Sequence, residues 1–182
     1  MNLKFLGDAL DHWKGSLFES LQQAGVLRNF AVDAMASDWP DWQPDDVALF
    51  TRLLRVQEYR KQYFDEIAHR GDLFLDPDTG IATGKVKNRN QYVMPSEIGQ
   101  LLRGSDRLLA VYQHVSRQAV SERVGTVCSV LNKTCTECKW SSYESGSVAM
   151  MFFSRSQERV TEVRAHFQRS LGRHAIGRIR TG

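Results

Sequence analysis

The chain has 182 residues, of which 42% are hydrophobic and 25% charged, and this ordinary globular composition excludes disordered, fibrous and collagen-like classes. No apolar run approaches the roughly 18 residues that a bilayer span needs, and Asp8 and Asp11 interrupt the N-terminal segment before a signal-like core develops. A net charge of +3 is too mild for a dedicated nucleic-acid binder, so the expectation is one cytoplasmic domain over residues 1–182 with no membrane contact.

Asp8 occupies the N-cap position of a first helix, with Asp11 in its first turn. Leu10, Trp13, Leu17 and Leu21 follow at helical spacing, and Gly25 supplies the stop. Asp11 and Lys14 form an i,i+3 pair with two readings, a local ion pair or a lysine presented to a phosphate or cofactor. A short apolar run, residues 29–35, ends in Asp33. The Trp- and Pro-rich segment 39–44 is then a loop, whose Trp39 and Trp42 either stack on a base or pin the loop to the core. The spacing of Tyr59, Tyr63, Phe64 and Ile67 predicts a helix closing before Gly71.

Leu73 to Asp76 reads as a buried strand, broken by Pro77, and a polar loop rich in Gly, Lys and Asn runs from Thr79 to Asn90. Pro95 suits a first helical turn, with Ile98, Leu101 and Leu102 as its apolar side. Leu108 to Tyr112 is a second buried strand, and a helix is expected over 116–131. Residues 140–143 and 148–153 flank a turn and predict a hairpin. A basic amphipathic helix and tail start at about residue 156. Alternating strands and helices predict a mostly parallel three-layer α/β/α sandwich with a late antiparallel hairpin.

Open parallel sheets bind ligands beyond the carboxyl ends of their strands, where this chain carries Asp33, the turn Asp76-Pro77-Asp78-Thr79-Gly80, and His114. Proline and glycine hold the carboxylates of Asp76 and Asp78 close together. Such a pair either raises one pKa or recruits a cation, and Mg²⁺ coordinated by Asp76, Asp78 and Asp33 is the expected metal. The competing reading is an Asx-type turn satisfied by backbone amides. His114 and Asp78 are the candidate catalytic groups, Lys14 and Asp33 the candidate cofactor contacts, and Arg117, Arg159, Arg169 and Arg173 the candidate nucleic-acid contacts. Cys128, Cys135 and Cys138 are expected as reduced thiols. The Cys135-to-Cys138 spacing alone does not complete a zinc site.

The stretch from Gly7 to Lys14, the strand ending Val32-Asp33-Ala34 and the later Leu75-Asp76-Pro77 together resemble Rossmann-like methyltransferases. The comparison is with ribosomal RNA adenine-N6 methyltransferases and three-Cys-motif partner proteins. That resemblance implies a Rossmann-like sheet, S-adenosylmethionine as cofactor, Asp33 as the strand-end acid and Asp76 as the acid of the motif that grips the target amine. The segment after Asp33 carries no glycine before Asp38, and Asp78-Thr79 stands where that motif has Pro-Tyr. Asp76 and Asp78 are also similar to the Mg²⁺-binding pair of the Toprim module. The leading expectation is a metal-dependent phosphodiester-processing, nuclease-like enzyme acting on nucleic acid. The alternatives are an S-adenosylmethionine-dependent nucleic-acid methyltransferase-like protein and a non-catalytic binding or regulatory protein.

Overall fold

The computed structural model describes residues 2–36, 41–55 and 71–182, together with the backbone of residues 58–60. Helix α1 (Ala9–Gln23) starts as its capping residue dictates: the Asp8 carboxylate accepts from the amides of Leu10 and Asp11. It ends where Gly25 takes a φ of +69°. Strand β1 (Ala31–Asp33) leads to α2 (Pro44–Leu54), which opens with proline in its first turn while the Asp46 carboxylate accepts the Gln43 N–H at 2.8 Å. Strand β2 (Glu58–Arg60) follows. Tyr59 therefore pairs with Val32 across a parallel ladder and does not begin a helix, while residues 61–70 of the expected helix lie outside the described residues.

Next come β3 (Leu73–Leu75), β4 (Gly80–Ile81), β5 (Tyr92–Val93), α3 (Pro95–Leu101) and β6 (Leu109–His114). Helix α4 (Val120–Thr134), strands β7 (Lys139–Ser145) and β8 (Val148–Ser154), helix α5 (Gln157–Leu171) and strand β9 (Ile179–Thr181) complete the chain. The main sheet has seven strands in the order β2-β1-β3-β6-β8-β7-β9. The strands from β2 to β6 run parallel, and each contact from β6 to β9 is antiparallel. The sheet is thus mixed and only partly parallel. The basic tail does not simply trail from α5, because its last residues add a strand beside β7.

Side-chain alternation sorts the core into two faces. Phe74, Ala110, Tyr112, Met150 and Phe152 point toward α1, α2 and α5, where they meet Phe18, Leu21, Phe50, Leu54, Val160 and Val163. Leu75, Leu109, Val111, Met151 and Phe153 point the other way, onto Ile98, Leu101, Val124, Val127 and Leu131 of α3 and α4. Helices accordingly cover both faces of the sheet. Gly15 lets α1 lie against α2, since a Cβ there would strike the Leu53 carbonyl.

Asp72, just ahead of β3, ties three segments together. Its carboxylate accepts from the amides of Arg28 and Leu108, each at 2.7 Å, and from Arg159 Nη2 at 2.6 Å. Arg159 is thereby corrected as a phosphate contact: it is buried, and its guanidinium is also held by the Val26 carbonyl and Glu162. The expected reduced thiols are corrected as well. The turn after α4 brings the Cα atoms of Cys135 and Cys138 to 5.5 Å and the two form a disulfide, which leaves no thiolate pair for zinc. Cys128 stays free, and burial pushes its thiol up to about 12. Among the described residues no helix is long and apolar enough to cross a membrane.

Candidate functional site

Strands β1, β3 and β6 are parallel neighbours, so Asp33, Asp76 and His114 arrive on one edge of the sheet. The first two are directly linked, the Asp76 amide donating to the Asp33 carbonyl at 3.0 Å. Between β1 and β3 the strand order reverses, because the chain steps outward to β2 and then returns to the other side of β1. That reversal is a topological switch point, the place where open α/β sheets leave a crevice for ligands.

Over the ends of β3 and β6 lies a pocket of about 250 Å³. Asp8, Asp11, Lys14, Asp76, Asp78 and Tyr112 line it, with Phe5 and His114 also contributing. Its floor is an ion cluster. Lys14 Nζ donates to both oxygens of Asp76, at 2.8 and 3.0 Å, and to Asp11 Oδ1 at 3.2 Å, and it sits 4.5 Å from the centre of the Tyr112 ring. Asp11 also accepts the Gly7 N–H at 2.9 Å, which draws the chain entering α1 onto the site.

Burial is the dominant force on these groups, and their charges answer it. Burial raises the Asp11 pKa, against Lys14 and the Gly7 amide, which lower it. Burial also works to lower the Lys14 pKa, but Asp76 and Asp11 together outweigh it, so Lys14 is raised and stays an ammonium ion. The Tyr112 phenol is pushed up to about 12, chiefly by burial, with Lys14 opposing. It remains a hydrogen-bond donor at any ordinary pH.

The residues expected at the site divide into three groups. Asp76, Asp78, Lys14 and His114 come together around the pocket. Asp33 lies beside them in the sheet without lining the pocket: it is buried, and its Oδ1 accepts the Met35 N–H at 2.7 Å, fixing a turn in which Met35 holds a φ of +46°. Arg117 is exposed after β6 at a φ of +64°. Arg169 and Arg173 are exposed, and Arg169 borders a separate hollow with Ala24 and Gly25 at the carboxyl end of α1. Among the described residues no group of three or more His, Cys, Asp or Glu side chains is arranged to hold a metal ion. Trp42 is buried edge-on against Phe50 and serves the core, while Trp39 lies outside the described residues.

Sequence reasoning passed over Gln113. This buried amide accepts the Ile81 N–H at 2.9 Å and donates to the carbonyls of Thr79 and His114, pinning the turn that carries Asp78 to the end of β6. Gly80, at a φ of +120°, packs against that amide so closely that a Cβ would collide with it. The sequence signal was a glutamine inside an otherwise apolar strand. The role of Lys14 had a signal too, since it shares the helical stripe of Leu10, Leu17 and Leu21, and a lysine on a buried stripe requires a buried acid. The chain matches no protein-family model, and no curated protein is significantly similar to it.

Proposed function

We propose that this chain is a methyltransferase-like protein of Rossmann-like, three-layer α/β/α architecture. It binds S-adenosylmethionine at the switch point between β1 and β3 and takes an amine of a nucleic-acid substrate into the adjoining pocket. One observation carries the choice over a nuclease-like reading: the Asp76 carboxylate is already neutralised, with both oxygens on the buried Lys14 ammonium at 2.8 and 3.0 Å. A Mg²⁺ ion at Asp76 would have to compete with that ammonium for both carboxylate oxygens.

The residues present fit a positively charged cofactor. Asp8, Asp11, Asp76 and Asp78 line the pocket, and a wall of carboxylates of this kind suits the amino group and sulfonium of S-adenosylmethionine. The turn after β1 is held by Asp33 itself, whose carboxylate accepts the Met35 N–H. When bound, the cofactor supplies an electrophilic methyl group. Asp78 orients the amine by accepting its hydrogen bond, Tyr112 stays protonated beside it, and the Lys14 ammonium holds both oxygens of Asp76 in place beneath.

Calorimetry on the full chain tests the reading. Micromolar binding of S-adenosylmethionine without metal, weakened by Asp33→Asn, is the expected result. Mg²⁺-dependent cleavage of an oligonucleotide, abolished by Asp78→Ala and accompanied by no cofactor binding, would overturn it in favour of phosphodiester processing. A chain that binds neither is a non-catalytic scaffold.

A further inference from the structure

A second cavity, about 370 Å³, opens on the far side of His114, between the loop after β4 and the start of α4. Its chemistry is opposite to that of the strand-end pocket. Thr79, Thr83, Lys85, Tyr92, His114 and Arg123 line it and no carboxylate does, whereas Asp8, Asp11, Asp76 and Asp78 line its neighbour. His114 borders both, so the two cavities are neighbours across that side chain.

Arg123 is the fixed element. Its guanidinium donates to the Ile81 carbonyl at 2.7 Å and to Thr83 Oγ1 at 2.8 Å, which holds the fork rigidly in the cavity wall from the first turn of α4. Neither contact is anionic, and among the described residues Arg123 has no acidic ion-pair partner. A partly buried cation without a countercharge is a cost that an entering anion offsets. Lys85 adds an exposed ammonium, while Thr83 and Tyr92 add hydroxyls. Arg117, in the loop whose Ser116 and Gln118 also border the cavity, is held in the left-handed region at a φ of +64°. Strain of that kind persists where surrounding structure over-determines it.

We infer that this cavity is a phosphate subsite, with Arg123 as its fixed cation, Lys85 as its mobile one and the threonine and tyrosine hydroxyls as further donors. It rests on the proposed function only in that the strand-end pocket lies on the other side of His114. Phosphate takes charge-assisted hydrogen bonds from this set of donors, and it arrives either as a free or mononucleotide phosphate or as the backbone of a polynucleotide.

The test titrates the full chain at low salt with inorganic phosphate and, separately, with a short single-stranded oligonucleotide, followed by calorimetry. Both bind the wild type, and Lys85→Glu, an exposed substitution that leaves the thermal midpoint unchanged, weakens both by about tenfold or more. Oligonucleotide binding tighter than phosphate and steeply salt-dependent identifies the backbone as the source, and comparable affinities identify the smaller ligand. Either result supports the subsite. Absence of phosphate binding, or equal binding by wild type and Lys85→Glu, overturns it. S-adenosylmethionine affinity is expected to be unchanged in Lys85→Glu, and a wild type that binds phosphate but not the cofactor refutes the methyltransferase-like reading and leaves this subsite standing.

Discussion

Replacing Lys14 by methionine keeps an unbranched side chain, one atom shorter, and removes its charge. Lys14 is 3% exposed, and Asp11 and Asp76 are 1% exposed, so the variant leaves two carboxylates in a site with little water to solvate them. Removing one partner of a buried pair costs about 3–5 kcal/mol, a large share of the roughly 5–15 kcal/mol that holds a domain folded. In urea unfolding at neutral pH, with a slope near 2 kcal/mol/M, the midpoint should fall by about 2 M with little change in slope. Two controls sharpen the result. The deficit should shrink as pH falls and the unpaired acids take up protons, and adding Asp11→Asn with Asp76→Asn should recover much of it. A loss below about 1 kcal/mol, the size of a solvent-screened pair, would refute the reasoning, because it would mean that water already reaches the cluster.

Alkaline pH should destabilise the protein. Tyr112 is raised from 10.0 to about 12 and Lys14 is raised from 10.5, so both favour their protonated forms in the folded state. The Tyr112 contribution is full below pH 10 and is lost as pH rises through about 12, that of Lys14 is lost above its own raised pKa, and thermal midpoints should decline on that alkaline side, less so in Tyr112→Phe; a flat profile would contradict the assignment. Asp72→Ala should cost about 3–5 kcal/mol in urea unfolding by stranding Arg159 and the amides of Arg28 and Leu108, and a loss under about 1 kcal/mol would count against that hub. Gly80→Ala should cost about 1–3 kcal/mol by thermal or urea unfolding, since it imposes a Cβ on a φ of +120° and on the Gln113 amide. An unchanged stability there would show that the turn relaxes freely.

Much of the frame was legible because local chemistry decided it. Asp8 caps α1, Pro95 opens α3, and the hairpin turns at Gly146 between two strongly patterned runs. The shared edge of Asp33, Asp76 and His114 also followed from strand ends alone, once the strands proved to be neighbours. Failures came where distant pairing overrode local pattern. Tyr59 has helical spacing to later aromatics yet lies in β2, and Pro44, read as loop, starts α2. Ile179 to Thr181 looks like a polar tail, and only the open edge of β7 makes it a strand. Arg159 carries the same charge as its exposed neighbours, so nothing in sequence marks it as the partner of Asp72, 87 positions away. The lysine at the heart of the site was legible only in part: its expected i,i+3 pair with Asp11 is present, but its shorter contact is with Asp76, 62 positions on.

That long reach makes the first helix the carrier of the countercharge at the sheet edge. The ammonium that meets the acid of the β3 turn rides on a helix whose Phe18 and Leu21 are sealed in the core against the same sheet. The potential at this edge is therefore set by the packing of α1, and a substitution that shifts that helix in the core also changes what the edge attracts.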